Sequence, residues 1–193
     1  MIRLALLRHG HTAWNRASRI QGRTDIPLDP EAEAQLSALR LPEDWARADI
    51  VASPLRRAQQ TAVLVSGRVA RPVAALIEMN WGDWEGQKGA LLRDDPEADY
   101  RPVENWGWDH APPGGESAGQ MRDRLLPWLG SLERDTLAVS HIGVMRVILA
   151  LATGWQFQGP APFSIKRNRL FIVEIDSGRM RHLPAPLRLE VRK

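Results

Sequence analysis

The chain of 193 residues contains no cysteine, and this absence removes several kinds of chemistry at once. A disulfide framework, a thiolate zinc site and a cysteine nucleophile are all excluded. The sequence also lacks an apolar run as long as a membrane span, and its N-terminus lacks the basic and long apolar regions of a signal peptide. We therefore expect a cytoplasmic protein that works without a membrane.

Lysine is scarce as well, since it occurs only at positions 88, 166 and 193, so the net charge of +3 rests on arginine. The arginines are spread from Arg3 to Arg192 and do not form one basic run, which argues against a nucleic-acid partner. A guanidinium group does suit a small anion, because its planar fork matches the oxygens of a phosphate group.

Apolar strand-like runs alternate with helical patterns, which indicates an α/β fold with a mainly parallel sheet. The length and the hydrophobic content of 44% favour one domain over residues 1–193. Strands are predicted over residues 2–7, 49–53, 73–77, 136–140, 170–175 and 179–183. Helices are predicted over residues 31–41, 54–66, 117–132 and 141–153, and we expect Pro127 to kink or divide the third of them.

Residues 81–116 break this alternation, because proline, glycine, tryptophan and acidic residues mix there with only a short helix predicted over 89–93. Long irregular segments in compact domains are usually lids or binding loops, so we expect a lid-like insertion over one end of the sheet. Its tryptophans either face the substrate as an aromatic wall or, more commonly for such residues, form a small core of the insertion. These residues are Trp81, Trp84, Trp106 and Trp108.

Cationic and imidazole side chains follow three of the predicted strands. Arg8 and His9 come directly after the first strand, and His141 follows residues 136–140. Arg56 and Arg57 open the helix after the second strand, where only one of them can face inward. Because ligands of open α/β sheets bind outside the carboxyl ends of the strands, we expect these side chains to share one site.

Glu78 follows the third predicted strand and adds a carboxyl group. Arginine forks neutralise and aim a phosphoryl group, a neutral imidazole attacks phosphorus, and a carboxyl group protonates the leaving oxygen. The set therefore indicates phosphoryl transfer without a metal or a cofactor. A metal site made of His9, His11 and His141 with an acidic residue is the alternative, but His9 and His11 on an irregular loop lack an established ligand spacing.

Six segments in the first 150 residues resemble, in order, the motifs of the histidine phosphatase superfamily in its phosphoglycerate mutase-like branch. They are RHGHTAWN at 8–15, QGRTDIPL at 21–28, SPLRRAQQTA at 53–62, the acid at 78 with WGDWEG at 81–86, PGGES at 113–117 and VSH at 139–141. Such a set is far more specific than any one motif. The resemblance implies a three-layer α/β/α sandwich and a phosphohistidine intermediate.

The resemblance also implies a role for each matching residue. His9 would be the nucleophile, and Arg8, Arg57 and His141 would hold the phosphoryl oxygens in the transition state. Glu78 would donate a proton to the leaving oxygen and then help to activate water.

A further phosphate contact from Asn15 and a surface position for Arg56 follow from the same resemblance. Three positions depart from the family pattern. His11 stands where Glu or Gln is common, which alters the charge near the site. Ala32 replaces a usual glycine and should favour its helix. Ile142 replaces a glycine after the second histidine, and because a positive φ would strain a β-branched residue, we expect ordinary helical geometry there.

Phosphomonoester hydrolysis of a small phosphorylated metabolite is our first hypothesis. The segments at 78–86 and 113–117 are similar to those of α-ribazole phosphatase and broad-specificity phosphatase members. A cofactor-dependent phosphoglycerate mutase-type phosphotransferase is one alternative, and a non-catalytic member that binds a phosphorylated ligand is another. The presence of His9, Arg57, Glu78 and His141 argues against the latter. We expect a monomer or a homodimer.

Overall fold

The structure is a computed structural model that describes residues 1–192, and a seven-stranded β-sheet lies at its centre. The strands are β1 Ile2–Arg8, β2 Leu39–Arg40, β3 Asp49–Ala52, β4 Arg71–Pro72, β5 Thr136–Ser140, β6 Arg169–Asp176, β7 Arg179–His182, β8 Leu187–Arg188 and β9 Glu190–Val191. The α-helices are α1 Ala13–Arg16, α2 Pro30–Ser37, α3 Arg56–Ser66, α4 Gly89–Asp94, α5 Ala118–Gly130 and α6 Ile142–Thr153. Short 3-10 helices span Glu43–Trp45, Ala74–Leu76, Gly82–Trp84 and Pro96–Ala98.

The sheet has a parallel part and an antiparallel part. Its order is β4-β3-β5-β1-β6-β7, with β8 also paired to β6. The four strands from β4 to β1 are parallel to one another, whereas β6 runs antiparallel to β1, β7 and β8. All of the strand ends that carry the candidate site belong to the parallel part.

Helices cover both faces of the sheet, and β1 shows why. Leu4 and Leu6 pack into one core together with α5 and α6, whereas Ala5 and Leu7 pack into a second core together with α2 and α3. All four side chains are fully buried. A strand that is buried on both faces belongs to a central sheet between two helical layers, so the predicted three-layer α/β/α fold is confirmed.

Several helix ends agree with the sequence signals. Gly67 ends α3 and Gly154 ends α6, and both have the left-handed backbone that favours glycine, with φ values of 70° and 78°. Ser117 caps α5, because its side chain accepts from the backbone N–H of Gln120 and the Gln120 side chain accepts from the Ser117 N–H. We expected Pro127 to kink or divide this helix, and the second of these outcomes is wrong, since Pro127 is exposed and α5 continues across it.

The predicted strand at 73–77 is also wrong. The edge strand β4 ends at Pro72, and the chain then turns through the 3-10 helix Ala74–Leu76. Leu76 is fully buried, and its carbonyl oxygen accepts a hydrogen bond of 2.8 Å from the Ser140 hydroxyl. The apolar run is therefore buried beneath the sheet edge, which an apolar pattern alone does not distinguish from a strand.

The predicted helix at 31–41 is too long, because α2 ends at Ser37 and β2 follows it. The partner of β2 is β9, close to the C-terminus. A pairing between segments about 150 residues apart leaves no signal in the local sequence.

The segment 81–116 packs its aromatic residues into the core on the α5 and α6 side. Trp84 and Trp106 are buried there, and Trp81 and Trp108 are partly buried against the same cluster. The interpretation of these residues as a core is therefore confirmed for Trp84 and Trp106, but this core is continuous with that of the sheet and is not separate. Within residues 1–192, no helix combines the length and the apolar character that crossing a membrane requires.

Candidate active site

Three parallel strands end side by side at the site. His9 donates its backbone N–H to the carbonyl of Ser140 at 3.0 Å, and Ser53 donates its own to Val139 at 3.0 Å. These bonds align the residues that follow β1, β3 and β5. As a result, the rings of His9 and His141 lie 5.1 Å apart between centroids although 132 positions separate them in sequence.

The ring of His9 is oriented by the carbonyl oxygen of the next residue. Its Nδ1 atom lies 2.6 Å from the Gly10 oxygen, and because a carbonyl can only accept, Nδ1 carries the proton. The lone pair is then on Nε2. Burial, together with the charges of Arg57 and Arg8, holds the pKa of His9 well below its usual value, so the ring is neutral.

Gly10 allows this turn to lie close to α2. A Cβ at position 10 would be 2.7 Å from Leu36 Cδ1 and 3.0 Å from Leu28 Cδ2. The backbone N–H of Gly10 also donates to the Thr61 hydroxyl at 3.0 Å. The residue after the histidine is therefore held on both sides, by α2 and by α3.

Arg57 is fully buried in the first turn of α3, whereas Arg56 is exposed. The guanidinium group of Arg57 donates to the carbonyl oxygens of Thr24 at 2.9 Å and Gly22 at 2.6 Å. Its Nε atom is buried and has no partner. Burial lowers the pKa of Arg57, and the nearby Glu78 partly opposes this effect.

Arg8 resembles Arg57 in having a buried Nε atom without a partner. Burial lowers the pKa of Arg8 to about 10, so its guanidinium group remains charged at neutral pH. Both arginines therefore bring a charged and unsatisfied donor into the surroundings of His9, where each of them lowers the histidine pKa.

His141 is the N-cap residue of α6 and is fully buried. Its Nε2 atom lies 2.7 Å from the Ser53 hydroxyl, whereas its Nδ1 atom has no partner. Burial and the neighbouring His9 and Arg57 hold the pKa of His141 well below its usual value. The site therefore contains a second neutral imidazole with one buried nitrogen free.

Glu78 is 2% exposed and accepts two backbone hydrogen bonds, from Met79 at 2.8 Å and from Gly143 at 3.2 Å. Burial outweighs these bonds and raises the pKa of Glu78 above its usual value. A Cβ at position 143 would collide with the Glu78 carboxylate, so glycine is required for this contact. Because of its burial, Glu78 keeps its proton to higher pH than an exposed glutamate does.

A partly buried ion pair holds the segment that carries Glu78. Arg124 on α5 donates to the carbonyl oxygens of Ala75 and Ile77, the latter at 2.8 Å. The same guanidinium group pairs with Glu116 at 2.8 Å, and Glu116 accepts the N–H of Asn80 at 3.3 Å. The acid of the PGGES motif thus acts on the position of Glu78 through Arg124.

Asn15 belongs to a network that includes an arginine the sequence did not reveal. Its side-chain oxygen accepts from Arg167 at 2.9 Å, and its amide nitrogen donates to Gln21 at 3.1 Å. Arg167 also donates to the His9 carbonyl at 3.2 Å, and burial lowers its pKa to about 9, with a further contribution from Arg8. Arg167 lies just before β6, beyond the last matching motif, so no local signal marks it.

Arg146 is a second arginine that the sequence reasoning missed. It lines a narrow cavity with Gly143, Met79 and Trp81, and it makes no hydrogen bond or ion pair with any residue in 1–192. Burial lowers its pKa, which the nearby Glu78 partly offsets. A signal was present, because a single charge interrupts the otherwise apolar helix α6.

The three departures from the family pattern are compatible with the site. Ile142 begins α6 without a positive φ, and Ala32 is buried in α2. Burial lowers the pKa of His11, and its Nδ1 atom is buried without a partner. Within residues 1–192, no group of three histidine or acidic side chains is placed to hold a metal ion, so His9, His11 and His141 are not arranged as ligands.

Comparison with known proteins identifies the family. The sequence profile of the histidine phosphatase superfamily (branch 1) matches residues 4–183. A glucosyl-3-phosphoglycerate phosphatase from Mycolicibacterium vanbaalenii is 34% identical over 177 residues, covering 79% of this chain and 74% of the relative. An acid phosphatase from Mycobacterium tuberculosis is 33% identical over 172 residues, covering 82% of each chain.

A solved structure agrees with these relatives. The crystal structure of a phosphoglycerate mutase from Thermus thermophilus is similar with a TM-score of 0.76 and 33% identity, covering 98% of this chain and 100% of the other. The predicted fold is confirmed, and so is the predicted enzyme class, a phosphomonoesterase. The chain belongs to branch 1 of the histidine phosphatase superfamily.

Proposed function

We propose that the protein hydrolyses a small phosphorylated metabolite without a metal, through a phosphohistidine on Nε2 of His9. One observation carries this proposal: Arg8 Nε, Arg57 Nε and His141 Nδ1 are buried nitrogen atoms without a partner. Leaving such a group unsatisfied costs about 1–3 kcal/mol, and more when it is charged. A bound phosphoryl group supplies the missing acceptors.

In the first step the neutral His9 attacks phosphorus. The Nε2–P bond forms while the P–O bond to the leaving group breaks, and the carboxyl proton of Glu78 moves to the leaving oxygen. The proposed contacts from Arg8 and Arg57 stabilise the negative charge on the transferring group. In the second step water attacks the phosphohistidine, the Glu78 carboxylate accepts a proton from that water, and the N–P bond breaks.

The tautomer of His141 follows from its hydrogen-bond partner. The Ser53 hydroxyl accepts the N–H of Leu55 at 3.4 Å, so its own hydrogen is free to be donated to Nε2 of His141. Nδ1 then carries the ring proton and donates to a phosphoryl oxygen. His141 in this state stabilises the transition state without needing a positive charge.

Asn15 is the remaining proposed phosphate contact. One hydrogen of its amide group is directed to Gln21, and the second is available to the phosphoryl group. The Nε2 atom of Gln21 is buried without a partner and supports the same anion site. We further propose that residues 1–193 form one catalytic domain and that the segment 81–116 acts as the lid-like wall on the leaving-group side.

The test is phosphate release from p-nitrophenyl phosphate in the presence of EDTA. Wild-type protein is expected to release phosphate and, when quenched in alkali, to retain acid-labile phosphate on His9. His9→Ala should lose both signals, whereas the surface variant Arg56→Ala should keep them. Equal turnover by wild type and His9→Ala would remove His9 from this role.

The mutase-type alternative is favoured by the similarity to the phosphoglycerate mutase structure. It differs in the acceptor, which is a hydroxyl group of a second molecule in place of water. Phosphorus NMR of a reaction with a phosphorylated hydroxy acid distinguishes the two, since a phosphatase accumulates inorganic phosphate and a mutase accumulates an isomer of the substrate. The non-catalytic alternative predicts neither product.

A further inference from the structure

Two of the sequence motifs meet at Glu85. This residue belongs to WGDWEG at 81–86, and its carboxylate faces the loop 22–24, which belongs to QGRTDIPL at 21–28. Its Oε1 atom accepts the backbone N–H of Thr24 at 2.6 Å. A Cβ at position 22 would be 2.7 Å from its Oε2 atom, so Gly22 allows the loop to lie against the carboxylate. The proposed reaction steps leave this contact without a role.

The loop 22–24 surrounds the Glu85 carboxylate with donors. Burial alone would raise the pKa of Glu85, but the Thr24 hydroxyl and the backbone N–H groups of residues 22–24 lower it below its usual value. The carboxylate is therefore ionised at neutral pH. Successive backbone N–H groups form a concave anion site, so the ionised carboxylate stabilises the loop in this conformation.

The carbonyl oxygens of the same loop hold Arg57. Those of Gly22 and Thr24 accept from its two terminal nitrogen atoms at 2.6 Å and 2.9 Å. The Gly22 carbonyl and the Arg23 N–H belong to one planar peptide group, and they point in opposite directions. That peptide group therefore lies between the Glu85 carboxylate and the Arg57 guanidinium group. Hydrogen bonds that follow one another in this way strengthen each other.

The two carbonyl contacts determine where the remaining donor of Arg57 points. Both terminal nitrogen atoms are bonded to the loop, and the third nitrogen, Nε, is buried without a partner. Because a guanidinium group is planar and rigid, fixing two of its nitrogen atoms fixes the direction of the third. Nε is the donor that the proposed function assigns to the phosphoryl group. A shift of the loop would therefore turn this donor away from the substrate.

Glu85 also acts on the charge of Arg57. Burial lowers the pKa of Arg57, and three carboxyl groups oppose this effect, those of Glu78, Asp25 and Glu85. Glu78 has to be protonated for its proposed role as the acid. The balancing negative charge near Arg57 therefore comes from Asp25 and Glu85.

We infer that Glu85 is a positioning residue for the phosphoryl site: it holds the loop 22–24 so that the carbonyl groups of Gly22 and Thr24 direct the Nε atom of Arg57 to the substrate. This inference rests on the proposed phosphomonoesterase function, in which Arg57 binds the transferring group. It gives one reason why the segments 21–28 and 81–86 belong to the same site, although 61 positions separate Thr24 from Glu85.

Turnover of p-nitrophenyl phosphate provides the first test. Glu85→Ala should lower kcat/KM by about 10- to 100-fold, because misplacing a catalytic group by about 1 Å can cost this much. Glu85→Gln keeps the size of the side chain and one acceptor for the Thr24 N–H, so it should lose only about 3- to 10-fold. Glu43→Ala is the matched control, because it removes an exposed glutamate from the 3-10 helix before β3, and it should equal the wild type. Equal kcat/KM values for wild type and Glu85→Ala would overturn the inference.

A double-variant cycle with Arg57 separates positioning from a general loss of structure. Arg57→Lys removes the two carbonyl contacts, so the loop 22–24 no longer directs a donor to the phosphoryl group. In this background Glu85→Ala should lower kcat/KM by less than about threefold. A loss as large as in the wild-type background would overturn the inference and leave the phosphatase proposal intact. If circular dichroism showed that Glu85→Ala does not fold, Glu85→Gln would take its place, and its effect should disappear in the same background.

Binding of inorganic phosphate gives a readout without turnover. In the His9→Ala background, calorimetry should show that Glu85→Ala weakens phosphate binding by about tenfold, as expected for the loss of one charged hydrogen bond. Addition of Arg57→Lys should abolish this effect of position 85. Independent effects of the two substitutions, or no phosphate binding before them, would overturn the inference. If the wild-type protein released phosphate from no ester, the proposed function would fail, but this coupling would still decide the role of Glu85.

Discussion

The two halves of the site are held in place by different means. The proposed phosphoryl half consists of Arg8, His9, Arg57 and His141, and strand ends and backbone carbonyl groups hold it. The proposed leaving-group half consists of Glu78 and the aromatic side chains of segment 81–116. It follows an irregular chain that depends on the ion pair between Arg124 and Glu116.

This difference means that the residues proposed to carry out the chemistry and the residues proposed to determine substrate specificity are held in place by separate sets of contacts. His9 and His141 directly follow strands of the sheet, so the sheet fixes their separation, whereas Arg57 is held by the carbonyl groups of Gly22 and Thr24 in the loop before α2. Side-chain ion pairs and aromatic packing change with single substitutions, so the leaving-group half can vary while the chemistry stays the same. One fold can therefore hydrolyse different phosphomonoesters with the same nucleophile.

The largest expected effect is in the phosphoryl half, at Arg57. Arg57→Lys keeps a charge but loses the two carbonyl contacts and the free Nε donor, so kcat/KM for p-nitrophenyl phosphate should fall by about 100- to 1,000-fold. Arg56→Lys is the control and should stay within about twofold of wild type, since surface substitutions of this kind have little effect. Circular dichroism would check the fold of both proteins. A small loss in Arg57→Lys would contradict a direct phosphate contact.

An intermediate effect is expected at Glu78, and it should depend on the leaving group. Glu78→Gln removes the proton donor, so an alkyl phosphate should lose about 100-fold or more in kcat, a typical contribution of general acid catalysis. p-Nitrophenyl phosphate should lose much less, because nitrophenolate leaves without a proton. Equal losses for both esters would show that Glu78 does not act as the acid.

The pH profile follows from the same two residues. Burial raises the pKa of Glu78, so its proton is retained to higher pH than usual, and kcat/KM should fall as pH rises through that pKa. The lowered pKa of His9 keeps the nucleophile neutral into mildly acidic solution. Activity should therefore be highest on the acidic side of neutrality, and Glu78→Gln should flatten the alkaline limb. An optimum well above neutral pH would contradict the assignment.

The same contrast decides what the sequence can predict. His9 and His141 each follow a strand directly, and Arg57 lies in the first turn of the helix after β3, so their meeting point is implied once the strands are recognised as parallel. The fold was predictable for the same reason, because β1, β3 and β5 have apolar patterns that continue to their ends. For these strands and the residues that follow them, the local sequence pattern is therefore enough to predict the position in the tertiary structure.

Long-range packing is what the sequence does not show. Residues 73–77 turn away from the sheet because Leu76 packs beneath its edge, and β2 forms because β9 returns beside it. Arg167 enters the site from a loop 158 positions after His9. Each of these outcomes depends on a partner far away in sequence, so periodicity within a short window carries no record of it.

The smallest expected effect is at Arg167, at the edge of the phosphoryl half. It tests whether Arg167 acts by holding His9 and Asn15 in position. Arg167 is bonded to the His9 carbonyl and to Asn15, so it positions other groups and its loss leaves the nucleophile intact. Arg167→Met should lower kcat/KM by about tenfold, mainly through a higher KM, in keeping with the loss of one or two charged hydrogen bonds. Asn15→Ala should produce the same change, and the double variant should lose less than the sum of the two. Additive losses would show that Arg167 acts independently of Asn15, through direct contact with the phosphoryl group.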